Sequence, residues 1–444
     1  MLPGDVLLEI FHFYVNQARF DFGDRKKAIE AWQRLVHVCR RWRSVVFGSP
    51  RRLDLQLVCR ANTLTSMVDI WPALPLLIRD PTGNVDNIVG LLERSDLVRR
   101  ISEIYLWVTE WKDISEAMQI PFPGLTYLGL SHNDQTALPL SDSFLGGSAP
   151  RLRFLYLASI PYPGLPKLLL SANHLTNLYL TFIPDSGYIP PEAMAASLST
   201  LTSLGRLKLE FQFARPLPDQ HPPPSIRTSL PVLNDFTFQG SGEYLEVLVA
   251  RIDAPRLGRL KITFFNDIVF ITPHLTRFIS HTPTFEAFNT ATVILGEWTA
   301  SVELLSAYAE LIVSVSCREL DWQLSFLEQV CTSSFPPLST LQDLYMKLWR
   351  PWPEDWKDNI DYAQWLELFR SFTAVKNLYL FRELAPCVAT TLQELVGGRT
   401  TEVFPNLQNI FVDEFQETGF NEEGIVKFVA ARQVTSHPIT VSRW

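Results

Sequence analysis

A short apolar signature, Leu-x-x-Leu-x-Leu, recurs along most of this chain with polar or aromatic residues in its gaps. It reads "ISEIYL" from residue 101, "LTYLGL" from 125, "LRFLYL" from 152, "LTNLYL" from 175, "LGRLKL" from 204, "LNDFTF" from 233 and "LGRLKI" from 257. Degraded copies stand at "FEAFNT" (285) and "CRELDW" (317). The pattern then returns as "LQDLYM" (341), "VKNLYL" (375) and "LQNIFV" (407). Successive starts lie 23 to 34 residues apart. Within each copy the last two apolar residues alternate with other types, the period of a short strand with one buried face. Between copies the spacing turns helical over 85–100, 191–201, 301–315, 361–372, 388–396 and 422–432. No single strand–helix unit of this size can hide its apolar faces, so neighbours must stack, which predicts a solenoid.

The first fifty residues follow a different rule. Val6, Leu7, Ile10, Phe11 and Tyr14 keep the spacing of one helix face just after Pro3. A polar connector, "NQARFDFGDRKK", follows, and then Leu35, Val38, Cys39, Trp42, Val45 and Val46 again keep helical spacing. His37, Arg40, Arg41 and Arg43 fall mostly off that face, so the segment is apolar on one side and basic on the other. Helices in so short a stretch make a marginal core, and such a unit needs something further to lean on.

"LPGDVLLEIF" followed by "LVHVCRRWRSVV" resembles an F-box, and the run "AWQRLVHVCRRWRSVVFGSPRRLDLQLVC" is similar to the F-box proteins numerous in mushroom-type fungi. The resemblance spans roughly residues 2–58. It implies a module that binds the Skp-type adaptor of a cullin-based ubiquitin ligase, with Leu2, Pro3, Val6, Leu7, Ile10, Val38, Cys39 and Trp42 forming the adaptor contact and its supporting core. The motif begins at the second residue, without the usual N-terminal lead, and its helix connector is longer than in the shortest F-boxes.

The later copies resemble leucine-rich repeats, a familiar companion of the F-box. The fold class expected is therefore α/β: a short helical F-box head over 1–50, a connecting and capping region over 51–100 with the first strands, and an irregular leucine-rich-repeat solenoid over 101–444. Parallel strands would line its concave face and helices its convex face. The proline-rich stretch 214–231 reads as a surface insertion, since repeats resume at once. The family's asparagine appears once in its usual slot, as Asn133, whereas Ile160, Ile183, Gln212 and Phe265 occupy it elsewhere. A ladder of asparagines at that position is thus not the general fastener.

If the spaced leucines point inward, one middle residue per copy faces outward. The column runs Tyr105, Gly129, Tyr156, Tyr179, Lys208, Thr237, Lys261, Asn289, Asp321, Tyr345, Tyr379 and Phe411. Aromatic members gather toward its two ends. Exposed aromatics contribute large contact area at low entropic cost, so Tyr105, Tyr156, Tyr179, Lys208, Lys261, Tyr345, Tyr379 and Phe411 are candidate contacts to a protein target. The same rings could instead serve only to pack side by side along the sheet. Arg206, Lys208, Arg259 and Lys261 are the one basic set that this register gathers, the minimum for reading a phosphate.

Charge narrows the partners. The chain carries a formal −8, which argues against general nucleic-acid binding. Residues 1–60 hold eleven Lys/Arg against six Asp/Glu, a net +5, while the remainder holds 28 against 41, a net −13. A basic head on an acidic body points to an acidic partner for the head. The five cysteines are scattered, without a CxxC pair, and read as reduced thiols of a cytoplasmic or nuclear protein. No stretch is apolar for long enough to span a bilayer.

No nucleophile elbow, Walker loop, His-Glu-x-x-His or dinucleotide fingerprint occurs. "PWPEDWKDNID" (351–361) reads as a solvated loop rather than a metal site. The expectation is a non-catalytic subunit without cofactor. Its F-box would hold the adaptor, and through it a cullin, while its repeats hold a protein target. The alternative is a leucine-rich scaffold acting outside a ligase.

Overall fold

Pro3 leads directly into α1 (Gly4–Phe20), where its carbonyl accepts the Leu7 amide at 3.1 Å. The computed structural model describes residues 2–20, 25–59, 68, 71–80, 86–132, 138–214, 227–265, 272–332, 338–349, 362–381, 384–395, 402–413, 423–434 and 438–443. Helix α1 continues into the expected polar connector, because nothing between Asn16 and Phe20 is a helix breaker. Helix α2 (Arg25–Val36) and α3 (Arg40–Gly48) complete the head.

The spacing from Leu35 to Val46 predicts one continuous helix, but the chain breaks at His37–Cys39. Both free ends at the break are capped by side chains. Cys39, in extended conformation, accepts the Trp42 amide on its sulfur at 3.5 Å, and Arg43 donates Nε–H to the Val36 carbonyl at 3.0 Å. Such caps offset part of what a break between two short helices costs.

The head core gathers Leu7, Phe11, Val15, Trp32, Val36 and Val46, and it continues without a seam into Leu53, Leu55 and Leu74. Trp32 joins the two parts: its indole donates to the Gln56 carbonyl at 3.0 Å, and its ring meets Trp71 edge-on at 5.3 Å. The marginal helical head thus rests on the start of the sheet.

Two compact units divide the chain. Residues 1–189 and 200–204 form one, residues 190–199 and 205–444 the other. In the first, β1 (Leu57–Cys59), β2 (Leu76–Asp80), β3 (Ile101–Val108), β4 (Tyr127–His132), β5 (Phe154–Ala158) and β6 (Asn177–Ile183) lie side by side, each pair parallel. Ile104 stands in register with Leu128, Leu155 and Leu178, and all four are fully buried. The repeat signature is therefore the core stripe of a parallel sheet, as its spacing predicts. Asn133 lies outside the described residues.

In the second unit the strands are β7 (Arg206–Phe211), β8 (Thr228–Ser229), β9 (Asp235–Gly240), β10 (Ile252–Asp253), β11 (Arg259–Phe265), β12 (Thr290–Leu295), β13 (Thr299–Leu305), β14 (Glu310–Ser316), β15 (Asp343–Leu348), β16 (Asn377–Leu380), β17 (Asn409–Val412) and β18 (Thr440–Arg443). The main sheet runs β7-β9-β11-β14-β13-β12-β15-β16-β17-β18, while β8 and β10 pair separately. Helices Gly242–Val249, Pro273–Ser280, Leu320–Thr332, Tyr362–Arg370, Ala385–Gln393 and Glu423–Val434 lie between strands along the chain.

The order around β14-β13-β12 departs from the expectation. Residues 301–315, predicted as a helix, are the hairpin of β13 and β14. Val302, Leu304, Leu311, Val313 and Val315 are buried on its two strands. Ser306 and Ala309 close the turn by a backbone hydrogen bond of 2.9 Å. The β-branched run favours strand, and short apolar stretches fit either period. The expected strands at "FEAFNT" and "CRELDW" are instead core residues ahead of β12 and the approach to helix Leu320–Thr332. Buried Gln323 secures the meander, donating to the Gly296 carbonyl at 2.8 Å and the Cys317 carbonyl at 2.7 Å.

Adjacent helices are also tied. The Glu246 carboxylate accepts the amides of His274 and Leu275, at 2.8 and 2.7 Å, capping the next helix. Burial pushes the Glu246 pKa up, against the pull of these two hydrogen bonds. The folded state therefore favours the protonated acid, and this residue's contribution to stability declines as pH rises from the ordinary glutamate value through the raised one. Glu246→Ala strands two helix N-terminal amides and is expected to cost about 1–2 kcal/mol at neutral pH, measured by denaturant unfolding.

Candidate functional site

Two surfaces carry the sequence-derived candidates. On the head, the apolar side chains of α1 divide into two stripes. Leu7, Leu8, Phe11 and Val15 enter the core; Leu2, just ahead of the helix, and Val6, Ile10, Phe13 and Tyr14 stay exposed. Sequence spacing merges these into one face, which the helix splits. Ile10 is 48% and Phe13 70% exposed, and Val38, thrown outward by the break between α2 and α3, is 59% exposed.

Arg41 links the two parts by donating to the Leu2 carbonyl. Of the eight head candidates, Leu2, Pro3, Val6, Ile10, Val38 and Cys39 are exposed. Leu7 is core, and Trp42 is half-buried with its ring 4.7 Å from Phe11. Phe13 escapes the sequence-derived set, although its position three residues after Ile10 places it on the same stripe. Arg40 and Arg43 are exposed beside Val38 in the chain, so the apolar stripe has a basic margin. An exposed apolar patch with a charged rim is the signature of a docking surface.

The second surface is the outward face of the strands. In the first unit the register sets Tyr105, Gly129, Tyr156 and Tyr179 in one row. In the second it sets Lys208, Thr237, Lys261, Ile312, Glu303, Thr292, Tyr345, Tyr379, Phe411 and Ser442 in one row. All eight target-side candidates occupy these rows. Asn289 and Asp321 do not: Asn289 precedes β12 and Asp321 lies in a helix, and Ile312, Glu303 and Thr292 of the meander fill the gap.

Tyr345, Tyr379 and Phe411 stack with near-parallel rings at 4.2 and 4.6 Å. Burial and the neighbouring Tyr345 and Asp343 raise the Tyr379 pKa. Alongside runs a polar ladder at a different slot from the one the repeat family uses. Asn377 donates to Asp343 at 2.7 Å, Asn409 donates to Asn377 at 2.7 Å, and Thr440 donates to Asn409. "DLYM", "NLYL" and "NIFV" carry its members at the head of each strand, where the signal is legible.

The basic set is brought together but answered by carboxylates. Arg206 and Arg259 flank Asp235 in register, Arg259 pairs with Glu310 at 2.6 Å, and Lys208 pairs with Glu210 at 2.9 Å. Alternating charge of this kind is a poor phosphate receptor. Glu303 stands half-buried on the same face, its pKa raised by burial and by Glu310 against the influence of Lys347 and Lys261.

Burial lifts the Cys59 thiol to about 11, and the Cys331 and Cys387 thiols to about 12, so these three stay protonated. Among the described residues, no cluster of His, Cys, Asp and Glu could hold a metal, and no helix is long and apolar enough to cross a membrane. Residues 351–361, read from the sequence as a solvated loop, and most of the proline-rich stretch lie outside the described residues.

No family model matches the chain, and no curated protein matches it. Among solved structures, the crystal structure of a TLR13–ssRNA13 complex matches with a TM-score of 0.33 and 10% sequence identity, over 86% of this chain and 48% of that one. The chain thus spans about half the length of that neighbour, and a likeness at this level carries no functional argument.

Proposed function

We propose that this protein is the substrate-receptor subunit of a Skp–cullin–F-box ubiquitin ligase, its head docking the adaptor and its strand face holding a protein target. The observation that carries this reading is the second apolar stripe of α1, left exposed along with Val38 and accompanied by exposed Arg40 and Arg43. A helix that buries one apolar stripe in its own core has the other available for a partner. The arginine margin favours an acidic partner and speeds encounter with it. Such a subunit makes and breaks no bonds; it supplies proximity and orientation between target and ubiquitin-loaded enzyme.

The test is calorimetric titration of the purified full chain with a Skp-type adaptor. Submicromolar binding, weakening as salt rises because of the arginine margin, is the expected result. A folded chain that does not bind the adaptor would sink the ligase reading and leave an interaction scaffold built on the same repeats.

A further inference from the structure

Three Ser-Pro or Thr-Pro dipeptides occur in the sequence: Ser49–Pro50, Thr272–Pro273 and Thr282–Pro283. The tertiary structure separates them. Thr272 and Thr282 are buried, and the Thr282 hydroxyl donates to the Phe278 carbonyl at 2.9 Å. Of the three, only Ser49 is accessible, at a half-buried position.

Local chemistry sets Ser49 on a turn. The residue before a proline is disfavoured in helical conformation, so α3 ends at Gly48 and Ser49 has a φ of −134° beyond it. The chain then turns over residues 50–54, where the Ser49 carbonyl accepts the Leu53 amide at 3.2 Å and the Pro50 carbonyl accepts the Leu55 amide at 2.9 Å. Arg51 and Arg52 are exposed on this turn. Ser49-Pro50-Arg51-Arg52 thus presents a hydroxyl, a neighbour with no amide to satisfy, and a cation two places further on. An enzyme groove that accepts proline beside the hydroxyl and meets the arginine with carboxylates would recognise this set. The other two dipeptides lack the arginine, since His274-Leu275 and Thr284-Phe285 follow their prolines.

We propose that Ser49 is a phosphorylation site for a proline-directed, arginine-reading protein kinase. In the transfer, Oγ of Ser49 bonds to the γ-phosphorus of ATP as the bond from that phosphorus to the ADP oxygen breaks. The hydroxyl proton passes to a carboxylate base of the kinase. Ser44 is the rival acceptor, exposed behind Arg41 and Arg43 but held inside α3.

The phosphate acts on the head. Arg52 pairs with Glu9 of α1, next to Ile10 of the exposed stripe. A phosphate three residues before Arg52 competes for that guanidinium with more charge and more acceptor oxygens than a carboxylate has. It also lies at the C-terminal end of α3, where the helix dipole disfavours an anion. The net +5 of residues 1–60 falls to about +3. Each change weakens the attraction of this surface for an acidic partner. The modification site stands without the ligase reading, and its effect on adaptor docking rests on that reading.

The folded full chain is incubated with ATP and a recombinant cyclin-dependent kinase, and incorporation is followed by intact mass and mapped by fragmentation. One phosphate per chain at Ser49 is expected, with none in Ser49→Ala and about tenfold slower incorporation in Arg52→Gln. Both positions are accessible, so the variants should keep the circular dichroism of the parent. The proposal is overturned by phosphate at Ser44 or elsewhere instead of Ser49, by no incorporation into the folded chain, or by an unchanged rate in Arg52→Gln.

Calorimetric titration with a Skp-type adaptor then reads the consequence. The phosphorylated chain should bind about fivefold more weakly than the unmodified one, and the gap should close as salt rises. Equal affinity of the two forms overturns the regulatory effect. Failure of both forms to bind counts against the ligase reading alone, and the mapping still decides the site.

Discussion

Ile10→Asp in the full chain is expected to abolish capture of a Skp-type adaptor while leaving thermal unfolding unchanged. Ile10 is about half exposed in the free protein, so an aspartate there is solvated and costs little. In a docked interface the same carboxylate would lose its water against apolar atoms. A loss of at least ~2 kcal/mol, or ~30-fold in affinity, follows from the usual weight of a central contact. Val38→Asp should behave alike, because the break between α2 and α3 holds that side chain in solvent. Leu7→Ala supplies the contrast. Leu7 is buried in the head core, and its truncation should cost ~2–5 kcal/mol of stability. Calorimetric titration with parallel thermal scans checks all three. Unchanged binding by Ile10→Asp would place the docking surface elsewhere.

Trp32→Ala should be among the most destabilising single substitutions in the head. The indole is fully buried, donates to the Gln56 carbonyl at 3.0 Å and packs on both Trp71 and Phe47. Removal leaves a cavity among those rings and an unpaired carbonyl, at a cost of about 3–5 kcal/mol. The loss should appear as an early unfolding transition of the first unit. Trp42→Ala, at a half-buried ring, should cost less. If the two variants unfold alike in denaturant, Trp32 is not the joint between head and sheet.

Much of the architecture is legible because a repeated strand states its burial in its spacing. Leu128, Leu130, Leu155, Leu157, Leu178 and Leu180 are core because every second residue of a strand faces the same way. Legibility fails between residues 283 and 322. There "SVELLSAYAELIVSV" satisfies a helical period and a strand period together, and only pairing with β11 and β12 and the bonds of Gln323 choose the hairpin. Two members of the predicted outward column fall with it. The head fails in a similar manner: apolar spacing locates α1, but spacing does not say which of two stripes faces the core.

By its amino-acid sequence alone, the chain specifies the repeat, the inward leucines, the rows that hold Tyr105, Tyr156, Tyr345 and Tyr379, and the basic character of the head. These properties rest on composition and local period, which a segment carries without reference to distant contacts. Packing in three dimensions selects which α1 residues stay exposed, since Leu7 and Phe11 turn toward a core that Trp32 and Leu53 complete. It also joins Asp343 to Asn377 and Asn377 to Asn409, across 34 and 32 positions of sequence. It lays Tyr105 over Gly129, on the neighbouring strand. Each of these meetings brings together atoms far apart in sequence at a few ångströms, and no period in the sequence encodes such a distance.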